Sequence, residues 1–116
     1  MEVRVGTDIV RVERFRAPGI KTPVEKIFLP SELSNRDPKH LAGIFAAKEA
    51  AMKALKIPAG EWQNIEITYE ESGRPQLNLL RDFLSVPKIL SWDLSISHDG
   101  GYAIAVAVFL ISGNSD

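Results

Sequence analysis

The segment from Pro38 to Pro58 constrains the fold more than any other part of the chain. At ~100° per residue, Lys48, Glu49, Lys53 and Lys56 fall within an arc of roughly 140°. Ala46, Ala47, Ala50, Ala51 and Ala54 take the other side, with Ile44 and Leu55 between. A surface helix carries an apolar stripe and a broad polar face, whereas this one is apolar nearly all round. The pattern predicts a central, largely buried helix that opens at Pro38 and ends near Pro58 or Gly60. Glu49 and Lys53 stand one turn apart beside Phe45 and Met52, where burying ions without a partner or ligand is costly. That arrangement points to a site.

Around this helix the chain reads as α+β. Glu2 to Val10 alternates, with Val3, Val5 and Ile9 on one face and Arg4, Gly6 and Asp8 on the other, which predicts a half-buried strand with Asp8 near its end. Pro18-Gly19 and Pro23 restrict Arg11 to Pro30 to short helical pieces, and Ser31-Glu32-Leu33-Ser34 after Pro30 has the form of a helix start. Ile65, Ile67 and Tyr69 alternate with Glu66, Thr68 and Glu70, and a turn follows at Glu71-Ser72-Gly73-Arg74-Pro75. Asn78 to Leu84 reads as a short helix. Trp92, Leu94 and Ile96 alternate with Asp93, Ser95 and Ser97, and His98-Asp99-Gly100-Gly101 turns the chain into the apolar run Tyr102 to Ile111, predicting a hairpin. Ala103, Ala105 and Ala107 share one face of that last strand, where small side chains let an alanine-rich helix approach closely.

The 116 residues suffice for one domain, 1–116, with a real core. Fourteen Lys and Arg against fifteen Asp and Glu leave a formal charge of −1, so no global basic field recruits nucleic acid or an anionic membrane. The absence of cysteine rules out disulfides, thiolate metal sites and cysteine nucleophiles. Without an apolar leader or a run of ~20 apolar residues, the expectation is a soluble, cytoplasmic protein with no membrane partner.

Asp8 and Glu49, on different elements, can share a hard cation such as Mg²⁺, which takes few protein oxygens and completes its shell with water and phosphate. The alternative is that Asp8 caps a turn and Glu49 pairs with Lys53. Lys48 lies amid Leu41, Phe45, Met52 and Leu55, so its side chain either snorkels past an apolar rim or meets a phosphate. His98, with two glycines just beyond it, suits an anion, or is simply solvated. Ser95 and Ser97 alternate along a strand, and Gly73-Arg74-Pro75 is either a ligand approach or an ordinary turn.

Three segments together resemble the holo-[acyl-carrier-protein] synthase family of 4′-phosphopantetheinyl transferases: Val5-Gly6-Thr7-Asp8-Ile9-Val10, Phe45-Ala46-Ala47-Lys48-Glu49-Ala50 with Lys53-Ala54-Leu55, and Ser95-Ile96-Ser97-His98. Gly73-Arg74-Pro75 resembles a fourth family element. The resemblance spans nearly the whole chain. It implies an α+β fold with a curved, mainly antiparallel sheet packed on a central buried helix. The implied activity is transfer of the phosphopantetheine arm of coenzyme A to a serine of an acyl carrier protein, with release of 3′,5′-ADP. Mg²⁺ would lie between Asp8, Glu49 and the pyrophosphate, Glu49 would be the base, and Lys53 would offset charge on the leaving phosphate. Lys48, Gly73, Arg74, Pro75, Ser97 and His98 match positions at or near coenzyme A. Short members of the family form homotrimers with active sites at subunit interfaces, and the apolar strand Tyr102 to Ile111 agrees with burial on both faces, though an internal core would satisfy it equally.

The chain departs from the family in two places. Ile44 stands where members usually carry arginine, which removes a phosphate contact. The segment before Ile27-Phe28 is also shorter than usual, although Arg11, Arg14, Arg16 and Lys21 keep it basic for an acidic carrier. These departures leave a second reading: a coenzyme A or carrier-binding module of the same fold without transfer activity.

Overall fold

The structure, a computed structural model, describes residues 1–16, 21–81 and 88–113. Its centre is helix α2, Pro38–Leu55. The Asp37 side chain accepts the Lys39 N–H at 2.9 Å, and Pro38, whose missing N–H costs nothing at that position, opens the helix. Lys56 ends it in the left-handed conformation, with the Ile57 N–H returning to the Met52 carbonyl at 2.9 Å. The expected burial holds, for Ala42, Ala46, Ala47, Ala50 and Ala51 have no solvent exposure.

Helix α2 lies on one face of a three-stranded antiparallel sheet ordered β1 (Glu2–Arg11), β5 (Tyr102–Ile111), β4 (Ile89–Asp99). The contact face of β5 is Ala103, Ala105 and Ala107, all buried as expected. On β1 the contact is closer still: a Cβ on Gly6 would stand 1.8 Å from the Ala50 carbonyl oxygen. The β4–β5 hairpin turns on two residues, Gly100 and Gly101, both at positive φ, as a two-residue turn matched to strand twist requires. His98 and Asp99, expected in the turn, are the last residues of β4.

A second antiparallel pair, β2 (Ile65–Tyr69) and β3 (Pro75–Leu79), turns through Gly73 at φ +90. It joins the first sheet through side chains: the Trp92 Nε1–H donates to the Leu77 carbonyl at 2.6 Å, and Arg74 pairs with Asp93. Asn78 and Leu79 belong to β3 and not to a helix, because their backbones pair with Glu66 and Ile65; residues 82–84 of that expected helix lie outside the described residues. Between β1 and α2 the chain makes only short pieces, namely a 3-10 turn at Val12–Phe15, the one-turn helix α1 (Val24–Ile27), and a 3-10 turn at Glu32–Ser34. The Pro18-Gly19 break lies outside the described residues.

The two faces of β1 are the reverse of the expected half-buried arrangement. Gly6 and Val10 are buried under α2, while Val3, Val5 and Ile9 are more than 60% exposed. Their register partners Leu110, Val108 and Ile104 continue this outer face across β5. The apolar alternation was genuine, but the helix takes the side with the smaller residues.

Candidate active site

The close approach at Gly6 sets up the site. Two residues further along β1, Asp8 emerges beside the last turns of α2, where the Lys53 ammonium donates to Asp8 Oδ1 and to the Thr7 carbonyl, both at 3.0 Å. Asp8 is mostly covered and Lys53 mostly exposed, so the pair sits at the rim of the sheet–helix packing. Glu49, one turn earlier on α2, is half-buried, and its Oε2 accepts the Trp62 indole N–H at 2.7 Å. Glu49 therefore does not pair with Lys53; the lysine reaches across to the strand.

Asp8 and Glu49 are of the donor type that a hard divalent cation takes. No group of three or more His, Asp or Glu stands together among the described residues. A cation of the Mg²⁺ type needs only one or two carboxylates, however, and keeps waters and phosphate oxygens for the rest of its shell. Asp8 Oδ2 and Glu49 Oε1 have no partner among the described residues, so each carboxylate offers one oxygen. Lys53 has spent two of its three donors, which leaves one for an anion.

Lys48 is not brought to this site. Its ammonium is wholly buried and meets the carbonyls of Ile27 (3.1 Å), Trp62 (3.0 Å) and Ile65 (2.8 Å) and the carboxylate of Glu32 (2.8 Å). With three N–H donors and four protein acceptors it has none left for coenzyme A, which corrects the phosphate expectation. Glu32, itself buried, also accepts the backbone N–H groups of Leu29 (2.7 Å) and Ile67 (2.8 Å). Burial pulls the Lys48 ammonium below the ordinary lysine value, and the Glu32 carboxylate opposes that shift. Neither Glu32 nor Trp62 was singled out from the sequence. The signal was available: a lysine on an all-apolar arc demands a buried counter-ion, and a half-buried glutamate demands a donor.

His98 lies at the other end of α2. Its Nε2 stands 2.9 Å from the Lys39 carbonyl, so that nitrogen carries the proton and Nδ1 remains for another partner. The imidazole fits over Gly43, where a Cβ would meet Nε2 at 3.0 Å. Gly43 lies six residues from Glu49 and ten from Lys53, or ~9 and ~15 Å along the helix, so His98 stands apart from the Asp8–Lys53 pair within one chain. Ser97 points to the outer face with Ile104, opposite to His98. Gly73, Arg74 and Pro75 form the β2–β3 turn, where one Arg74 nitrogen reaches both Asp93 oxygens at 2.8 and 2.9 Å. That hydrogen bonding holds the Asp93 carboxyl below its usual range and raises Arg74.

The basic segment is divided among several partners. Arg16 pairs with Glu13 at 3.3 Å and Arg11 lies over the Tyr102 ring, whereas Arg14 lies 4.8 Å over the Phe45 ring. Arg14 and Lys21 line a cavity of about 360 Å³ whose wall includes Phe45 and Trp62, the same tryptophan that holds Glu49. Ile44, at the position expected to carry arginine, is fully buried in the core.

Asp8 and Lys53 thus meet where strand β1 crosses the buried helix, with Glu49 one turn earlier on the same helix, in an α+β fold. The family profile described as the 4′-phosphopantetheinyl transferase superfamily matches residues 4–107. The holo-[acyl-carrier-protein] synthase of Frankia alni is 42% identical over 112 residues, covering 91% of this chain and 95% of that protein. That of Salinispora arenicola is 42% identical over 119 residues, covering 93% and 98%. Among solved structures, the Chronobacterium ammoniagenes ACPS–CoA complex superposes with a TM-score of 0.79 at 28% identity, covering 97% of this chain and 99% of that one. The Helicobacter pylori holo-[acyl-carrier-protein] synthase in complex with coenzyme A gives 0.76 at 33% identity, covering 93% and 99%. The chain belongs to the holo-[acyl-carrier-protein] synthase family of the 4′-phosphopantetheinyl transferase superfamily.

Proposed function

We propose that this chain transfers the 4′-phosphopantetheine arm of coenzyme A to a serine hydroxyl of an acyl carrier protein and releases 3′,5′-ADP, with Mg²⁺ held by Asp8 and Glu49. The observation that carries the reading is the contact of Lys53 with Asp8, with Glu49 one turn earlier on the same helix, an oxygen free on each carboxylate and a donor free on the lysine. When bound there, the cation supplies charge neutralisation at the pyrophosphate. Glu49 takes the serine proton, directly or through a water, as the serine oxygen forms its bond to the β-phosphorus and the bond to the 3′,5′-ADP oxygen breaks. Lys53 places positive charge where the leaving phosphate gains negative charge. The cavity at Arg14 and Lys21, which shares Phe45 and Trp62 with the site, suits the acidic carrier.

We further propose that the working enzyme is a homotrimer whose sites are completed between subunits. The outer sheet face supports this: Val3, Val5, Ile9, Ile104, Val106 and Val108 form a continuous exposed apolar surface that α2 does not cover. The placing of His98 against Gly43, ~9 Å of helix rise from Glu49 and ~15 Å from Lys53, supports it as well, since a neighbouring copy can bring its own His98 to the first group. Ser97 and the Gly73-Arg74-Pro75 turn are proposed to contact coenzyme A because they match family motif positions near it. Incubation with apo-carrier, coenzyme A and Mg²⁺ should raise the carrier mass by one phosphopantetheine arm, and a chelator should prevent it. An unchanged carrier with coenzyme A still bound would favour the binding-module reading instead.

A further inference from the structure

We infer that Trp62 is a positioning residue for Glu49, an assignment that rests on the proposed role of Glu49. A glutamate on a helix rim has three free torsions, and nothing on α2 itself fixes the direction of its carboxylate. Here the Trp62 indole N–H donates to Oε2 at 2.7 Å, a short bond, and thereby dedicates one oxygen to the protein and presents the other.

The indole is itself held at several points. Its ring packs on Phe45 with centroids 6.0 Å apart. The carbonyls of Trp62 and Ile65, at either end of the 3-10 turn Trp62–Asn64, both accept from the buried Lys48 ammonium, at 3.0 and 2.8 Å. Consecutive residues of α2 thus grip one tryptophan, Lys48 through its backbone carbonyl and Glu49 through its indole. The buried Lys48–Glu32 pair acquires a function in this arrangement. It anchors the turn that carries the indole, and so sets Glu49 from a distance without touching substrate.

The test is Trp62→Phe, which removes the N–H but keeps an aromatic ring against Phe45 and the carbonyl for Lys48. Binding of Mn²⁺ alone, read by water-proton relaxation, should weaken about 10-fold, the effect typical of losing a group that orients a metal ligand. Turnover at saturating substrates should fall about 10-fold, with KM for coenzyme A changed less than about two-fold. Glu49→Gln serves as the reference and should lose both Mn²⁺ binding and transfer; if it keeps both, the reading of Glu49 falls. If Glu49→Gln loses both while Trp62→Phe matches the unaltered protein, the positioning role alone is overturned. A further measurement needs no Trp62 variant: the Trp62 indole N–H resonance should move when Mg²⁺ is added, and a resonance indifferent to Mg²⁺ that binds through Glu49 would refute the inference.

Discussion

Gly6→Ala tests the link between the packing of this fold and its chemistry, because the substitution adds one carbon to the point where β1 meets α2. That carbon would stand 1.8 Å from the Ala50 carbonyl oxygen and 2.9 Å from the Ala54 nitrogen, both helix backbone. Ordinary contact begins near 3.4 Å, so the helix must withdraw by about 1.6 Å, and no side-chain rotation can relieve the overlap. Overpacking usually costs about 1–3 kcal/mol, and a rigid backbone neighbour puts this case at about 3. With a urea slope of about 2 kcal/mol per molar, the unfolding midpoint should fall by about 1.5 M. The same withdrawal separates Lys53 from Asp8, now 3.0 Å apart two residues along the strand. Misplacing reacting groups by ~1 Å can cost about 100-fold, so transfer by the folded fraction should fall by that order. Urea unfolding followed by tryptophan fluorescence, together with carrier mass spectrometry, measures both effects. An alanine variant with an unchanged midpoint and turnover would refute the argument that this contact sets the site.

Asp8→Ala and Glu49→Gln should each abolish transfer with the fold intact, since neither carboxylate supports the core; near-native turnover of either at saturating Mg²⁺ would end the metal assignment. Lys48→Met should cost about 3–5 kcal/mol in urea unfolding by leaving the buried Glu32 carboxyl without its ion-pair partner, and adding Glu32→Gln should recover part of the loss. Arg14→Glu should slow carrier association and raise its KM, with the defect shrinking as salt screens the charge, whereas Arg16→Glu, whose charge already pairs with Glu13, should do much less. Burial pulls the His40 imidazole below its ordinary 6.5, against the opposing charges of Asp37 and Glu32 and with a smaller contribution from His98 in the same direction. The unfolded chain therefore binds the proton first as pH falls through 6.5, and stability drops until the folded-state value is passed; His40→Gln should flatten that limb in pH-dependent unfolding.

The central helix was legible because each of its signals is local: Pro38 at its start, an apolar period, and alanines where a strand of alternating alanines awaits them. What lay beyond the sequence was partnership. Alternation in β1 marks an apolar face without saying what covers it, and the habit of turning that face inward fails here. A helix can come this close to a sheet only over Gly6, Ala103, Ala105 and Ala107, so close packing selects the small residues and turns Val3, Val5 and Ile9 outward. The misreading of Lys48 has the same origin. Lys48 and Glu49 are neighbours in sequence but ~100° apart on the helix, so one step separates an ion enclosed by Glu32 and three carbonyls from one at the rim. Residue type cannot distinguish these two charges; helical phase relative to the small-residue face can. The face nearest the sheet follows from Ala50 and Ala54 packing on Gly6, which places Lys53 at the strand end beside Asp8 and carries Lys48 round to the loops of Glu32 and Trp62. Once that phase is fixed, the first lysine of the motif belongs to the buried architecture and the second to the rim beside Asp8.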